Sequence, residues 1–375
     1  MRFEVNNKTE RALNAAVMTA SMNMEIAGCI IAPMENCYVF EDEQNVKSEA
    51  EMFRELNSGR GYTFTDEECI TGAMLMTIAS EENGTLYGGL PLPLEIIALL
   101  LKQSRIFKEG AFSDNAYLKH MKFEECTYGK YTLTYETAHK YEPQQYALPV
   151  HSKEGYLIPR TGVFDHDFRF PCIVSGENAP WAVSHMDINV AEKDLNRAKG
   201  KVLVLGCGIG YYAYMASLKN NVSQITIVEH DQDLVNMFQE QILPQFECKD
   251  KITVICADET GYLKSIEDGM YNTVYCALWQ DNTAVIPYLE VKKICSSFKK
   301  TKLVCHLEQA IQETIHFYMI TLMMRNRNDQ TEETSIEDET AKYLENCFKD
   351  TVITTAKQTE DYLDPVNVVR IICAE

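Results

Sequence analysis

The chain is short of positive charge: 35 Lys and Arg stand against 55 Asp and Glu, a formal net charge of −20. So acidic a surface repels phosphate backbones, and nucleic acid is not expected as substrate or partner. No two of the 13 cysteines have CxxC spacing; they lie singly, several in apolar strand-like runs (Cys256, Cys276, Cys305, Cys373). Reduced, buried thiols in a cytoplasmic protein are the expectation. The eight histidines make no H-x-x-x-H or H-x-x-E-H pattern, so no metal is expected. No window approaches the roughly 18 consecutive apolar residues of a membrane span. Arg2, Glu4, Lys8, Glu10 and Arg11 precede the first apolar run, which argues against a signal peptide. Neither an internal repeat nor a low-complexity tract is visible, and Gly (18) and Pro (11) are sparse, so disorder should be confined to short tails and loops.

What is present reads as a two-part enzyme. With 375 residues the chain can bury one large core or two ordinary ones. Residues 1–125 carry apolar positions at helical spacing in "ERALNAAVMTASMNMEIAG", "ECITGAMLMTIAS" and "PLEIIALLLKQSRIFKEG", the last starting at Pro93 and ending near Gly110. A mainly helical N-terminal domain follows from that pattern. Residues 126–189 are richer in Tyr, Thr, Pro and Gly and predict strands and ordered loops, a connector placed to cover a site. From 190 to 375 short apolar strands alternate with helical runs: strands at 201–205, 224–229, 251–257, 272–278 and 302–307, with helices between and after them. Such alternation predicts a mostly parallel sheet wrapped by helices. The polar stretch "RNRNDQTEETSIEDET" reads as a surface loop or solvated helix start. Beyond it, "TVITTA" and "NVVRIICAE" are two strand candidates close enough to form a terminal antiparallel pair.

The stretch "KVLVLGCGIGYYAYMASL" (201–218) carries the chemistry. An apolar strand runs into Gly206, Gly208 and Gly210 and then into a helical pattern. In an open α/β sheet that junction is where ligands bind, and glycine lets backbone approach them closely. A dinucleotide fingerprint would place its third glycine one residue later, where Tyr211 stands, and a Walker loop would supply a lysine where Tyr211 and Tyr212 follow. Two strand-end acids flank the glycines. Glu229 closes "QITIVE" about twenty residues on, the place of a ribose-binding carboxylate, and Asp258, followed by Glu259, closes "KITVICAD".

Together "VLVLGCGIG…ITIVEHD…ITVICADE…YNTVYCALWQD" resembles the class I S-adenosylmethionine-dependent methyltransferases over about half the chain. The resemblance implies a Rossmann-like sheet and S-adenosylmethionine as cofactor. It places Gly206, Cys207, Gly208 and Gly210 against the methionine end, Glu229 on the ribose and Asp258 on the adenine amino group, with His230 and Glu259 beside them. Ala277, Leu278, Trp279, Gln280 and Asp281, beyond the fourth strand, would face the sulfonium and the acceptor. Val204 stands where the family often has an acid. An apolar residue there is common in the polyamine aminopropyltransferases, which "IVEHDQDLVNMFQEQILP" also resembles, although their GGGDGG-like loop is missing.

Methyl transfer is an in-line displacement governed by positioning, and it needs a base only for a protonated acceptor. Asp281 is the candidate base; the alternative is that it caps the next helix near Asn282 and Thr283. Trp279 either walls the adenine or substrate or packs in the core. In the connector, "FDHDFRFP" and "GENAPWAVSH" bring Asp165, His166, Asp167, Arg169, Glu177, Trp181 and His185 ahead of the first strand. His166 with Asp167 would serve as base or substrate anchor, or as a salt bridge to Arg169, and Trp181 is a further substrate candidate. The expected function is methyl transfer to a small molecule, with aminopropyl or aminocarboxypropyl transfer and an inactive cofactor-binding module as alternatives. A homodimer is left open.

Overall fold

A computed structural model describes residues 1–34, 37, 39–58, 63–83, 92–176, 178–327 and 338–374. Its centre is built from the apolar runs that follow residue 199. β1 (Gly200–Leu205), β2 (Val222–Glu229), β3 (Ile252–Cys256), β4 (Thr273–Cys276) and β5 (Lys302–Cys305) form one sheet in the order β3-β2-β1-β4-β5, every pair parallel. Runs such as Val202–Leu205 are apolar on both faces because helices cover both. One face packs Leu203, Leu205, Val228, Val274 and Cys276 onto the helices Val285–Ile294 and Glu308–Arg325. The other packs Val202, Val204, Ile225, Ile227 and Tyr275 against Tyr117 and the helix Tyr211–Ser217. β1 lies between β2 and β4, so the chain reverses its winding there and opens a crevice at the carboxyl ends of β1 and β4.

Ahead of this sheet lies a largely helical region with its own core of Ile26, Ile30, Met74, Leu75, Ile78 and Leu100. Its helices are Asn7–Ile30, Glu43–Ser58, Asp66–Asn83 and Leu94–Gln103. Glu43–Ser58 was not anticipated: Phe53 is its single buried residue, and so few apolar positions leave little periodic signal. The run read as one helix to Gly110 stops at Gln103; Arg105–Phe107 is a strand joined to Leu157–Phe164, and Gly110 takes a left-handed turn at φ 86°. The connector is indeed stranded, with Cys126–Tyr128, Tyr131–Ala138, Phe168–Ser175 and Asn178–Ala182 in one sheet and Gln144–His151 in another beside Leu157–Phe164. Residues 328–337 of the predicted acidic loop lie outside the described residues.

The terminal antiparallel pair is corrected. Val352–Ile353 is a two-residue strand, and it pairs in parallel with Arg2–Phe3 at the opposite end of the chain. "NVVRIICAE" is a helix, Pro365–Ala374, that buries Val368, Val369 and Ile372 on one side. Helical spacing of these three residues overrides their β-branched preference for strand.

The first helix ties the two regions together. Near its start Leu13 belongs to the core of the sheet region, while Ile26 and Ile30 near its end belong to the helical core. Residues 7–34 are by length and composition alone long and apolar enough to cross a membrane, although polar residues such as Asn14, Asn23 and Glu25 interrupt them and no run of consecutive apolar residues approaches a span. In this fold they act as a strut.

Candidate functional site at the carboxyl ends of the central strands

The three glycines each sit at positive φ, so a side chain at any of them is strained, and at Gly206 and Gly210 a Cβ would also crowd its neighbours. A Cβ on Gly206 (φ 86°) would lie 3.0 Å from the Ala277 carbonyl and 3.6 Å from Leu278 Cδ2, so the β1 turn lies against the β4 exit. A Cβ on Gly210 (φ 77°) would meet the Phe238 ring at 2.7 Å. The resulting loop turns its backbone over Glu229, which is only 5% exposed. Glu229 Oε2 accepts from the Cys207 N–H at 3.2 Å and Oε1 from the Asp231 N–H at 3.0 Å. Cys207 itself is buried, and burial first, then the nearby Glu229 charge, pushes its thiol well above the usual range.

His230 and Glu259 complete an acidic corner. His230 Nδ1 is 2.9 Å from Glu259 Oε1 and 3.2 Å from Glu229 Oε1, and the Glu259 carboxylate also accepts from the His230 N–H at 3.0 Å. The hydrogen bond to Glu259 is the largest cause raising the His230 pKa. Ligand-type atoms of Glu229, His230 and Glu259 lie within 4.8 Å of one another, a donor set able to hold a cation. When protonated, His230 is itself a cation between the two carboxylates. Asp258, by contrast, is exposed and spends its carboxylate on the Gly261 N–H, capping the helix Glu259–Ser265. The acid turned toward Glu229 from β3 is therefore Glu259.

On the other side of the glycines lies a cavity of about 120 Å³, walled by the Gly206–Gly210 loop, Trp181, Asp187, Tyr275, Gln280 and His306. It is smaller than the several hundred Å³ of a whole small-molecule pocket and is sized for a fragment. Trp181 comes from the connector; its Cδ1 would lie 3.3 Å from a Cβ on Gly208, and its ring is 5.8 Å from that of Tyr131, whose hydroxyl donates to Asp231 at 2.7 Å. Among the described residues, two buried polar atoms of the wall have no partner, Gln280 Nε2 and Tyr212 Oη. An unmade buried hydrogen bond costs about 1–3 kcal/mol, which a ligand bearing suitable polar groups would recover. The Tyr212 ring stacks on Tyr275 at 3.5 Å, and Tyr275 Oη lies 3.2 Å from His306 Nδ1. Burial lowers His306 to about 4, so it is neutral at pH 7. Asp187 is raised by burial to about 6 although its carboxylate accepts from the Ser184 N–H at 3.0 Å.

Other residues singled out by sequence lie apart. Asp281 is exposed and accepts from the Thr283 N–H at 2.8 Å and from the Thr283 hydroxyl, a turn cap outside the cavity wall. Trp279 touches the cavity but is mainly core: it is 6% exposed and donates to the His306 carbonyl at 2.6 Å. His166 pairs with Asp165 at 2.9 Å and lines a different cavity with Phe112 and Phe168. Asp167 accepts from the Lys140 N–H, and Arg169 stacks on Tyr135 at 4.2 Å. Glu177 lies outside the described residues. Sequence reasoning missed Asp187, Tyr275 and His306 as cavity residues. The first was signalled by the S-x-x-D capping spacing from Ser184, the last by being the first polar side chain past the fifth strand.

These features define the architecture. It is a Rossmann-like α/β fold. No protein-family model and no curated protein matches the chain. Solved structures with partial similarity include a Methanobacterium thermoautotrophicum precorrin 8w decarboxylase (15% identity, TM-score 0.25, 32% of this chain and 62% of that one). Another is Thermotoga maritima spermidine synthase (12%, TM-score 0.26, 36% and 52%). A third, from Klebsiella pneumoniae, is provisionally assigned as an O-methyltransferase (17%, TM-score 0.23, 28% and 47%). The chain thus spans about half to three-fifths of those proteins.

Proposed function

We propose that the chain is an S-adenosylmethionine-dependent methyltransferase acting on a small molecule in the cytoplasm. One observation carries the reading: a left-handed glycine loop at the sheet's reversal point closes over a buried strand-end carboxylate, Glu229. A fit to the cofactor is supported by the donor set. Glu229 offers its carboxylate to the ribose hydroxyls, with Glu259 and His230 on the adenine side. Asp187, facing the cavity beside the glycines, suits an ammonium, and the orphaned Gln280 Nε2 suits a carboxylate. The 120 Å³ cavity accommodates that amino-acid end, leaving the adenosine over the open acidic corner.

When bound, S-adenosylmethionine supplies an electrophilic methyl carbon, whose bond to sulfur breaks as the acceptor's lone pair reaches it. The chain's own part is to orient and to exclude water: Trp181 closes over the loop, and the Tyr212–Tyr275 stack gives the cavity a rigid floor. His306 stands in the wall as a neutral group with a free lone pair. With Nδ1–H donated to Tyr275 Oη, its Nε2 can take the proton an acceptor releases. Asp281, committed to Thr283, is not needed as the base.

The test is product identity. On incubation with S-adenosylmethionine and a panel of small acceptors, methyl transfer releases S-adenosylhomocysteine. Transfer of an aminocarboxypropyl group from S-adenosylmethionine, or of an aminopropyl group from decarboxylated S-adenosylmethionine in a parallel incubation, would leave methylthioadenosine, and that product would overturn the methyl assignment. His306→Ala should lower turnover far more than it weakens cofactor binding, while Asp281→Asn should keep full turnover.

A further inference from the structure

A second, larger cavity lies on the far side of the helix His185–Arg197, with a volume of about 440 Å³, inside the range of small-molecule pockets. Its walls come from that helix, from the connector strands and from the exit of β5. It is next to the glycine-loop cavity: His306 lines the first, and its chain neighbours Cys305 and Leu307 line the second. Likewise Ala191 faces one and Val190 the other.

The charges in this wall are unusual for so acidic a chain. Three cations, Arg160, Lys193 and Arg197, line it, and among the described residues none has a carboxylate within salt-bridge distance. Arg160 lies over the Tyr146 ring at 4.9 Å, with its Nε 3.4 Å from the Tyr146 hydroxyl, which leaves the outer guanidinium nitrogens without a protein acceptor. The acids nearby are otherwise engaged or buried. Glu308 accepts from Tyr288 Oη at 2.9 Å and Lys292 Nζ at 3.0 Å, His151 pairs with Glu313, and Asp194 is 9% exposed. Asp194 in the same wall attracts Arg197 and Lys193 without forming a salt bridge. In a protein with 20 excess negative charges, three cations lining one cavity is still an arrangement that an anionic ligand would satisfy.

We propose that this cavity holds the anionic end of the acceptor substrate, a small organic anion whose carboxylate or phosphate is bound by Arg160, Lys193 and Arg197 and whose reacting end is directed toward the adjoining cavity at His306. The assignment of an acceptor rests on the methyltransferase reading; the anion site itself does not. Two probes, citrate and pyrophosphate, separate carboxylate from phosphate preference in calorimetric titrations of the whole protein. The expected result is saturable binding of at least one probe, weakened about 10-fold or more in Lys193→Met and in Arg197→Met. Both side chains are solvent-exposed, so the variants should melt as the wild type does. Lys119→Met, in the separate cavity near His166, should leave affinity unchanged. Absence of saturable binding, or equal affinity in an Arg160→Met/Lys193→Met/Arg197→Met variant, would overturn the site. S-adenosylhomocysteine titrated in parallel keeps the two claims apart: its failure to bind with the anion effect intact removes only the methyltransferase reading. Its binding without an anion effect removes only the present one.

Discussion

Glu229 is the residue on which the site turns, because it serves both structure and chemistry. It stands beneath the glycine loop, bonded to two backbone N–H groups. Glu229→Ala should weaken S-adenosylhomocysteine binding on the order of 10- to 100-fold, since charge-assisted hydrogen bonds are each worth about 1.5–3 kcal/mol. Glu229→Gln, which preserves shape and one acceptor, should fall between the two; calorimetry checks both. A different residue sets the acid response of the fold. His185 is 3% exposed and lies among the rings of Phe107, Phe112, Phe164 and Phe168; among the described residues, only the Gln145 backbone offers it a weak polar contact. Burial lowers it to about 4, below its unfolded value near 6.5. Its contribution to stability is therefore complete above about pH 6.5 and is lost as pH falls toward 4, roughly 3 kcal/mol in all. Asp194, raised by burial to about 6, acts the other way, gaining stability as pH falls from 6 to 4. Replacing His185 with Phe should therefore raise stability relative to wild type at pH 4–5 more than at pH 7, measured by denaturant unfolding at each pH.

Among the elements, the glycine loop makes the sharpest prediction. Gly210→Ala places a side chain at φ 77° against the Phe238 ring, and should cost roughly 1–3 kcal/mol of stability together with cofactor affinity. Denaturant unfolding and ligand titration of that variant check the two losses. The central strands were legible because each is a short apolar run, the first three closed at or near Gly206, Glu229 and Asp258, and all five expected strands form within a few residues of their places. Elements that depend on one or two buried residues were not. Glu43–Ser58 has only Phe53 to betray it, and the final helix hides its period behind Val366, Val368, Val369, Ile371 and Ile372. A sufficient signal was nevertheless present there: Asp364 accepts from the Val366 N–H at 2.9 Å, and Pro365 follows it at the first helical position. At the site, loop and strand-end residues could be read from spacing. Which acid turns inward, Glu259 or Asp258, is decided by the helix cap that Asp258 makes, and the reach of the connector to Trp181 is a matter of tertiary packing that spacing does not encode.

At the scale of the whole molecule, an acidic body surrounds two adjoining cavities, and the first helix fastens the region that covers them to the sheet. The net charge of −20 favours approach of a cationic sulfonium donor and opposes that of an anionic acceptor, which must then rely on its local cations. Raising ionic strength should accordingly slow association of S-adenosylmethionine and speed that of an anionic acceptor, seen by stopped-flow at two salt concentrations. Cofactor binding is tested by calorimetric titration of the protein with S-adenosylmethionine, S-adenosylhomocysteine and decarboxylated S-adenosylmethionine in one buffer. One site should take the first two, discriminate against the third because it lacks the carboxylate meant for Gln280, and weaken in Glu229→Ala. Binding of none of the three, or equal affinity in Glu229→Ala, would contradict the cofactor reading and leave the glycines as a turn between strand and helix.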